Sequence, residues 1–274
     1  MHGVSRVTLA ALRERLAARE VGHGSAEQVE RESGELLAVA ALLGRETHLR
    51  SSLADASADP AGRAQLAHAV LDGRVSEQSA EIVAEAARGR WSRPSELADA
   101  LESLGAEAAF ALAESAGTLD RVEDELFRVA RLVSSSPDLR RTLSDPGLPL
   151  EGRRGLLGQL LGDRVDATTL RLLDHVVGSL RGRQLEDALD DLVALAAVRR
   201  TETLAEATVA VALTPEQEQR LAAVLGRVYA TQVKLQVVVD PTVLGGVVVR
   251  VGDEVIDGSV LHRVEQARQT TAGL

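Results

Sequence analysis

The chain has 274 residues, no cysteine, and a formal net charge of −10 from 31 basic and 41 acidic side chains. Lack of cysteine removes disulfides and thiolate metal sites, and the acidic excess argues against nucleic acid or an anionic lipid surface as a partner, since both demand a basic face. Hydrophobic residues make up 45% of the chain but aromatics only 1%, so the cores must be built from Leu, Val, Ala and Ile, which suits helix-on-helix packing and leaves little for base stacking.

No apolar run reaches the ~18 residues of a bilayer span, and the start, Met1 to Arg6 leading into Arg13, Glu14 and Arg15, lacks a signal-peptide core. A soluble chain facing the cytoplasm is therefore expected. Lys234 is the only lysine; the preference for Arg fits a GC-rich genome.

Taken in order, the first two hundred residues are helical and repeat. A shift of 90 lays Glu35–Asp55 on Glu125–Asp145 with 9 of 21 positions identical, and 62–76 on 152–166 with 6 of 15. The pairs include Gly62/Gly152, Arg63/Arg153, Asp55/Asp145 and Val75/Val165, which Leu/Ala richness alone does not produce. Apolar residues at three- and four-residue steps mark amphipathic helices: Leu36, Leu37, Ala40 and Leu43 in one copy, Leu126, Val129, Leu132 and Val133 in the other. Asp59-Pro60, Asp72-Gly73, Pro94, Asp145-Pro146-Gly147, Gly162-Asp163 and Gly178 separate them. Four to six short helices per copy predict an antiparallel bundle. Ser95 to Ala116, broken only by Gly105, predicts one long helix that ends the first bundle and opens the second.

The pattern changes near Thr208. Thr208–Leu213 reads as a strand, Thr214-Pro215-Glu216-Gln217 as a capping box with Pro at the first helical position, and Leu221, Val224, Leu225 and Val228 as one helical face. Val233–Val239 reads as a strand ended by Asp240-Pro241, and Gly246–Val251 with Val255–Asp257 as a hairpin around Gly252-Asp253-Glu254. A last helix is expected from Ser259. The fold class expected is α+β, mostly α: two repeated antiparallel bundles, 1–106 and 107–205, then a small α+β unit with a mixed sheet, 206–274.

The stretch Val237–Val260, with Asp240, Pro241, Gly245, Gly246, Arg250, Gly252, Asp257 and Gly258 in fixed order, resembles the C-terminal signature of the delta subunit of F-type ATP synthases, the oligomycin-sensitivity-conferring protein family. Residues 107–270 resemble a complete member, including the Ala-rich opening around Phe110. The first ~106 residues are extra, as in some actinobacterial relatives. The resemblance implies a non-catalytic stator subunit, one copy per complex, peripheral on the cytoplasmic face of the bacterial membrane. Its helical domain would grip the N-terminal helices of the alpha subunits, and its C-terminal unit would join the b-type stalk. No cofactor is implied. Helix-in-groove recognition makes Leu126, Val129, Leu172 and Val176 the candidate partner-binding residues.

Other chemistry has weaker support. Gly245-Gly246 is not followed by a GxxxxGK[ST] pattern, and the glycines read as backbone geometry beside a hairpin. His2, His23, His48, His68, His175 and His262 form no metal-ligand spacing, and no nucleophile motif occurs. Trp91 suits either a partner anchor or packing. The alternatives to a stator are a helical adaptor unrelated to ATP synthesis and, less favoured, a nucleotide-binding enzyme using the Gly245/Asp253 loop.

Overall fold

A computed structural model describes residues 3–22, 25–201, 203–229, 233–240, 246–251 and 254–257. The chain divides into two compact units, Met1–Arg199 and Arg200–Leu274. The architecture is mostly helical α+β, with the strands confined to the second unit.

The first unit contains α1 (Gly3–Gly22), α2 (Ala26–Arg45), α3 (Thr47–Leu53), α4 (Pro60–Leu71), α5 (Glu77–Arg88), α6 (Pro94–Ser115), α7 (Leu119–Ser135), α8 (Pro137–Ser144), α9 (Leu150–Leu161), α10 (Ala167–Gly178) and most of α11 (Leu185–Thr201). Helix starts follow local chemistry. Ser25 and Gln28 form a capping box, and Asp59, Ser76 and Asp166 accept hydrogen bonds from otherwise unpaired backbone N–H groups. Pro60, Pro94 and Pro137 sit at helix starts, where a missing N–H costs nothing.

Hydrogen bonds recur at the 90-residue offset. Glu35 accepts from the N–H and hydroxyl of Ser76 at 2.9 and 2.6 Å. Glu125 accepts from Asp166 N–H and the Thr169 hydroxyl, both at 2.7 Å. Asp55 and Asp145 each accept from the N–H two residues on. Arg63 donates to the carbonyls of Leu53 and Gly89, and Arg153 to those of Leu143 and Val177. The bounds of α4 and α9, and of α5 and α10, are also 90 residues apart.

The helix expected over Ser95–Ala116 is α6, and it serves two cores. Leu97, Leu101 and Leu104 pack with Leu36, Val39 and Leu43 in the first. Ala106, Ala109, Phe110 and Ala113 pack with Leu126, Leu172, Leu173 and Leu189 in the second. Gly105 lies at the changeover. A Cβ there would stand 2.8 Å from Leu37 Cγ and 3.1 Å from the Leu37 backbone nitrogen, and its carbonyl accepts from the buried Ser33 hydroxyl at 2.7 Å. The missing side chain lets α2 approach α6. Gly105→Ala is therefore expected to destabilise the helical unit by about 1–3 kcal/mol through overpacking, despite alanine's better helix propensity. Gly34→Ala, on open α2 surface, is expected to stabilise it by up to ~1 kcal/mol. Denaturant melts followed by circular dichroism check both.

In the second unit β1 (Thr203–Val209), α12 (Pro215–Tyr229), β2 (Val233–Val239), β3 (Val247–Val251) and β4 (Glu254–Asp257) build a sheet in the order β2-β1-β3-β4. The β1–β2 pair is parallel, with α12 as its crossover, and the other pairs are antiparallel. Ala207, Leu225, Val233 and Val249 form its core. Thr214 and Gln217 make the expected capping box, with bonds of 2.8 and 3.3 Å. The strand expected at Thr208–Leu213 is displaced: it spans Thr203–Val209. Its register ends at Val209 opposite Val239 and Val247, and the next N–H on the β2 side, that of Asp240, already closes on Val209 O at 2.9 Å. Past Val209 the apolar run has no ladder left to join. The helix expected from Ser259 lies outside the described residues.

Candidate partner-binding surface

The four candidate residues are interior. Leu126, Val129, Leu172 and Val176 are 0%, 6%, 1% and 1% exposed, all in the second core. Amphipathic periodicity marks the face a helix buries, and here the chain's own helices occupy that face. Of the four, Leu172 also lines an open trough.

That surface is a trough of about 400 Å³ between α2 and the α9–α10 pair. One wall is α2, whose Leu36, Val39, Ala40 and Leu43 are buried and whose opposite side presents Gly34, Ala38 and Ala41. The other wall brings Leu150 of α9 together with Leu172, His175 and Gly178 of α10. Small residues on one helix face ordinarily admit a second helix; here they face open space. At the 90-residue offset their counterparts on α7 are the larger Asp124, Arg128 and Arg131. An ion pair between Glu30 and Arg171 stands at the trough edge, and Arg45, Arg154 and Asp174 line it. Burial raises the Asp174 pKa, Arg154 opposes the rise, and Glu151 adds to it.

A buried charge cluster braces the wall from behind. Glu102 of α6 accepts from Arg183 at 2.8 Å and from Arg181, and lies 3.2 Å from His175 Nε2. Arg181 also donates to Asp99 at 2.9 Å. It adopts a positive φ of 53°, and its stem fills the space beside Gly44. Burial pushes the Glu102 pKa up, but the His175 imidazole beside it and the charges of Arg181 and Arg183 outweigh it and hold the carboxyl below its ordinary value. Burial lowers the Arg181 pKa, from a starting point so high that the guanidinium stays charged. Single residues of common type far apart in sequence gave no signal for this cluster. The trough did have one: Gly34, Ala38 and Ala41 share the side of α2 opposite Leu36 and Leu43.

Trp91 packs inside, with Nε1 donating to Ala86 O at 2.8 Å. In the signature, Asp240 closes β2 onto Val209, Gly246 takes φ +88° ahead of β3, Arg250 is exposed on β3, and Asp257 ends β4. Gly246 thus has the backbone role expected of it, since that φ is strained for other residues. Pro241, Gly245, Gly252, Asp253 and Gly258 lie outside the described residues. Among the described residues no cluster of three or more His, Asp or Glu could hold a metal ion, and no helix is long and apolar enough to cross a membrane.

The sequence pattern of the ATP synthase delta (OSCP) subunit family matches residues 101–270. The "ATP synthase subunit delta" of Parafrankia sp. (strain EAN1pec) is 42% identical over 98% of this chain and 99% of its own. The chain belongs to the ATP synthase delta (OSCP) subunit family. The Streptomyces coelicolor delta subunit is 44% identical over 99% of this chain and 98% of its own, and that of Nocardia farcinica 41% over 99% and 100%. These delta subunits align from end to end, so each also carries the first hundred residues that precede the family match. A chain of the Toxoplasma gondii mitochondrial ATP synthase hexamer is 20% identical, with a TM-score of 0.28 over 61% of this chain and 94% of that one, too low to support an argument.

Proposed function

We propose that this delta subunit is a non-catalytic stator of a proton-translocating ATP synthase. It joins the catalytic head to the b-type stalk so that the head does not turn with the rotor. Family membership over residues 101–270 carries this reading. In it, one copy is held peripherally on the cytoplasmic face of the membrane through its partners. The subunit needs no active site of its own. The recurrent hydrogen bonds at the 90-residue offset support reading residues 1–106 and 107–205 as copies of one bundle fused through α6, with 206–274 as the stalk-binding part.

The N-terminal helix of an alpha subunit is assigned to the trough between α2 and α10. A helix lying there would meet small residues on one side and Leu150 and Leu172 on the other, the apolar lining that helix-in-groove binding requires. The isolated chain is expected to hydrolyse no ATP and to bind an alpha N-terminal peptide. Calorimetry with no heat of binding, together with no hydrogen-exchange protection on α2 or α10, would refute the assignment. An unrelated adaptor would instead fail to bind a catalytic head stripped of its delta subunit.

A further inference from the structure

The outer face of α1 carries an apolar stripe, Val4, Val7 and Ala11, at helical spacing. Val4 is 52% and Val7 72% exposed, and Ala11 is exposed as well. At the 90-residue offset these positions fall on Pro94, Leu97 and Leu101 of α6. Leu97 and Leu101 are fully buried, in the core they share with the leucines of α2. One opening helix thus has its stripe covered by a neighbouring amphipathic helix, and the other has nothing over it among the described residues. In stacked repeats, an end that faces only solvent is polar. Further along α1 that rule is met: Glu14 and Arg15 stand where α6 has Leu104 and Gly105, and Arg15 pairs with Glu85 at 3.0 Å. The first turns depart from it.

The stripe is held rigidly. The buried Ser5 hydroxyl donates to Glu96 at 2.5 Å and accepts from Ser92 N–H at 2.9 Å, while Thr8 donates to Arg90 O at 3.0 Å. These bonds bring the Arg90–Arg93 turn alongside α1. Arg6, Arg90 and Arg93 are exposed there. Arg6 and Arg90 pair with no carboxylate among the described residues, and Arg93 reaches only the buried Glu96 at 3.5 Å. Three guanidinium groups beside an apolar stripe, on a chain of net charge −10, select for acid.

We propose that the Val4–Val7–Ala11 stripe is a second helix-docking surface, taking an amphipathic helix of a partner subunit whose apolar face is bordered by acidic side chains. This helix would lie along α1 as α2 lies along α6. The inference rests on the stator reading for the source of the helix but not on the trough.

The test is titration of the full chain onto the ATP synthase complex stripped of this subunit. Val7→Asp is expected to weaken binding about tenfold. Arg6→Glu with Arg90→Glu is expected to do the same and to flatten the salt dependence. All three positions are exposed, and unchanged helical melts would show the variants folded. Wild-type binding with both variants at wild-type affinity would overturn this surface alone. Failure of the wild type to bind would overturn the stator reading itself.

Discussion

Replacing Glu102 by alanine is expected to cost the helical unit about 3–5 kcal/mol, the usual price of leaving buried charge without its counter-ion. Glu102 and Arg181 are each 10% exposed, so water cannot take over the lost contacts. Arg181 would keep Asp99, and Arg183 would keep the Leu180 carbonyl and, as counter-ion among the described residues, the exposed Asp191 at 3.5 Å. Glu102→Gln keeps the shape and loses the charge, so its cost should be a substantial part of the same figure.

The pH dependence has a definite sign. A carboxyl whose pKa is lower folded than unfolded adds stability above its unfolded value and loses it as pH falls through the folded value. Glu102 is such a group, with an ordinary value of 4.5. Glu35, where bonds from Ser76 and Ser79 outweigh desolvation, is another. The stability contributed by Glu102 and Glu35 should therefore fade below about pH 4.5, with Asp99, Asp174 and Asp191, whose pKa values burial raises, acting in the opposite direction, and Glu102→Gln should remove the Glu102 part of that loss. Denaturant midpoints measured between neutral pH and pH 3 check both. A Glu102→Ala cost under 1 kcal/mol would show that the cluster is solvated.

Ala38→Trp is expected to weaken binding to the stripped catalytic head on the order of a hundredfold, about 2.7 kcal/mol. The indole would occupy the trough that the partner helix is assigned to fill. Ala38 is exposed, so the variant should melt as the wild type does. Ala38→Ser adds one atom and should bind normally. Titration of the three proteins onto the same head preparation gives the comparison, and equal affinity for all three would move the head-binding site elsewhere.

The helices were legible because their signals are local: leucines at three- and four-residue steps, Pro or Ser at starts, Gly at stops. The long α6 followed from the lack of any breaker but Gly105. The Thr214–Gln217 box and the Val233–Val239 strand were equally local. The β1 error had a non-local cause, since the strand's end is set by where β2 and β3 stop. The burial of the four candidate partner residues has a related reason. Leu126, Val129 and Val176 lie on the periodic apolar faces of α7 and α10, and such a face is buried first in the chain's own core. The proposed docking surfaces are marked instead by what is small or out of place, such as Gly34 and Ala38 on α2 or Val7 on α1.

The sharing of α6 between two cores has a mechanical meaning. Its 22 residues span about 33 Å without a hinge. Turning the helices packed on its first half against those packed on its second would have to shear Leu37 past Gly105 and pull Arg181 from Glu102. Under rotor torque the helical unit then behaves as a strut with little give. Elastic energy that accumulates between successive rotor steps would be stored in more compliant parts of the machine, and this unit would pass load on almost without delay.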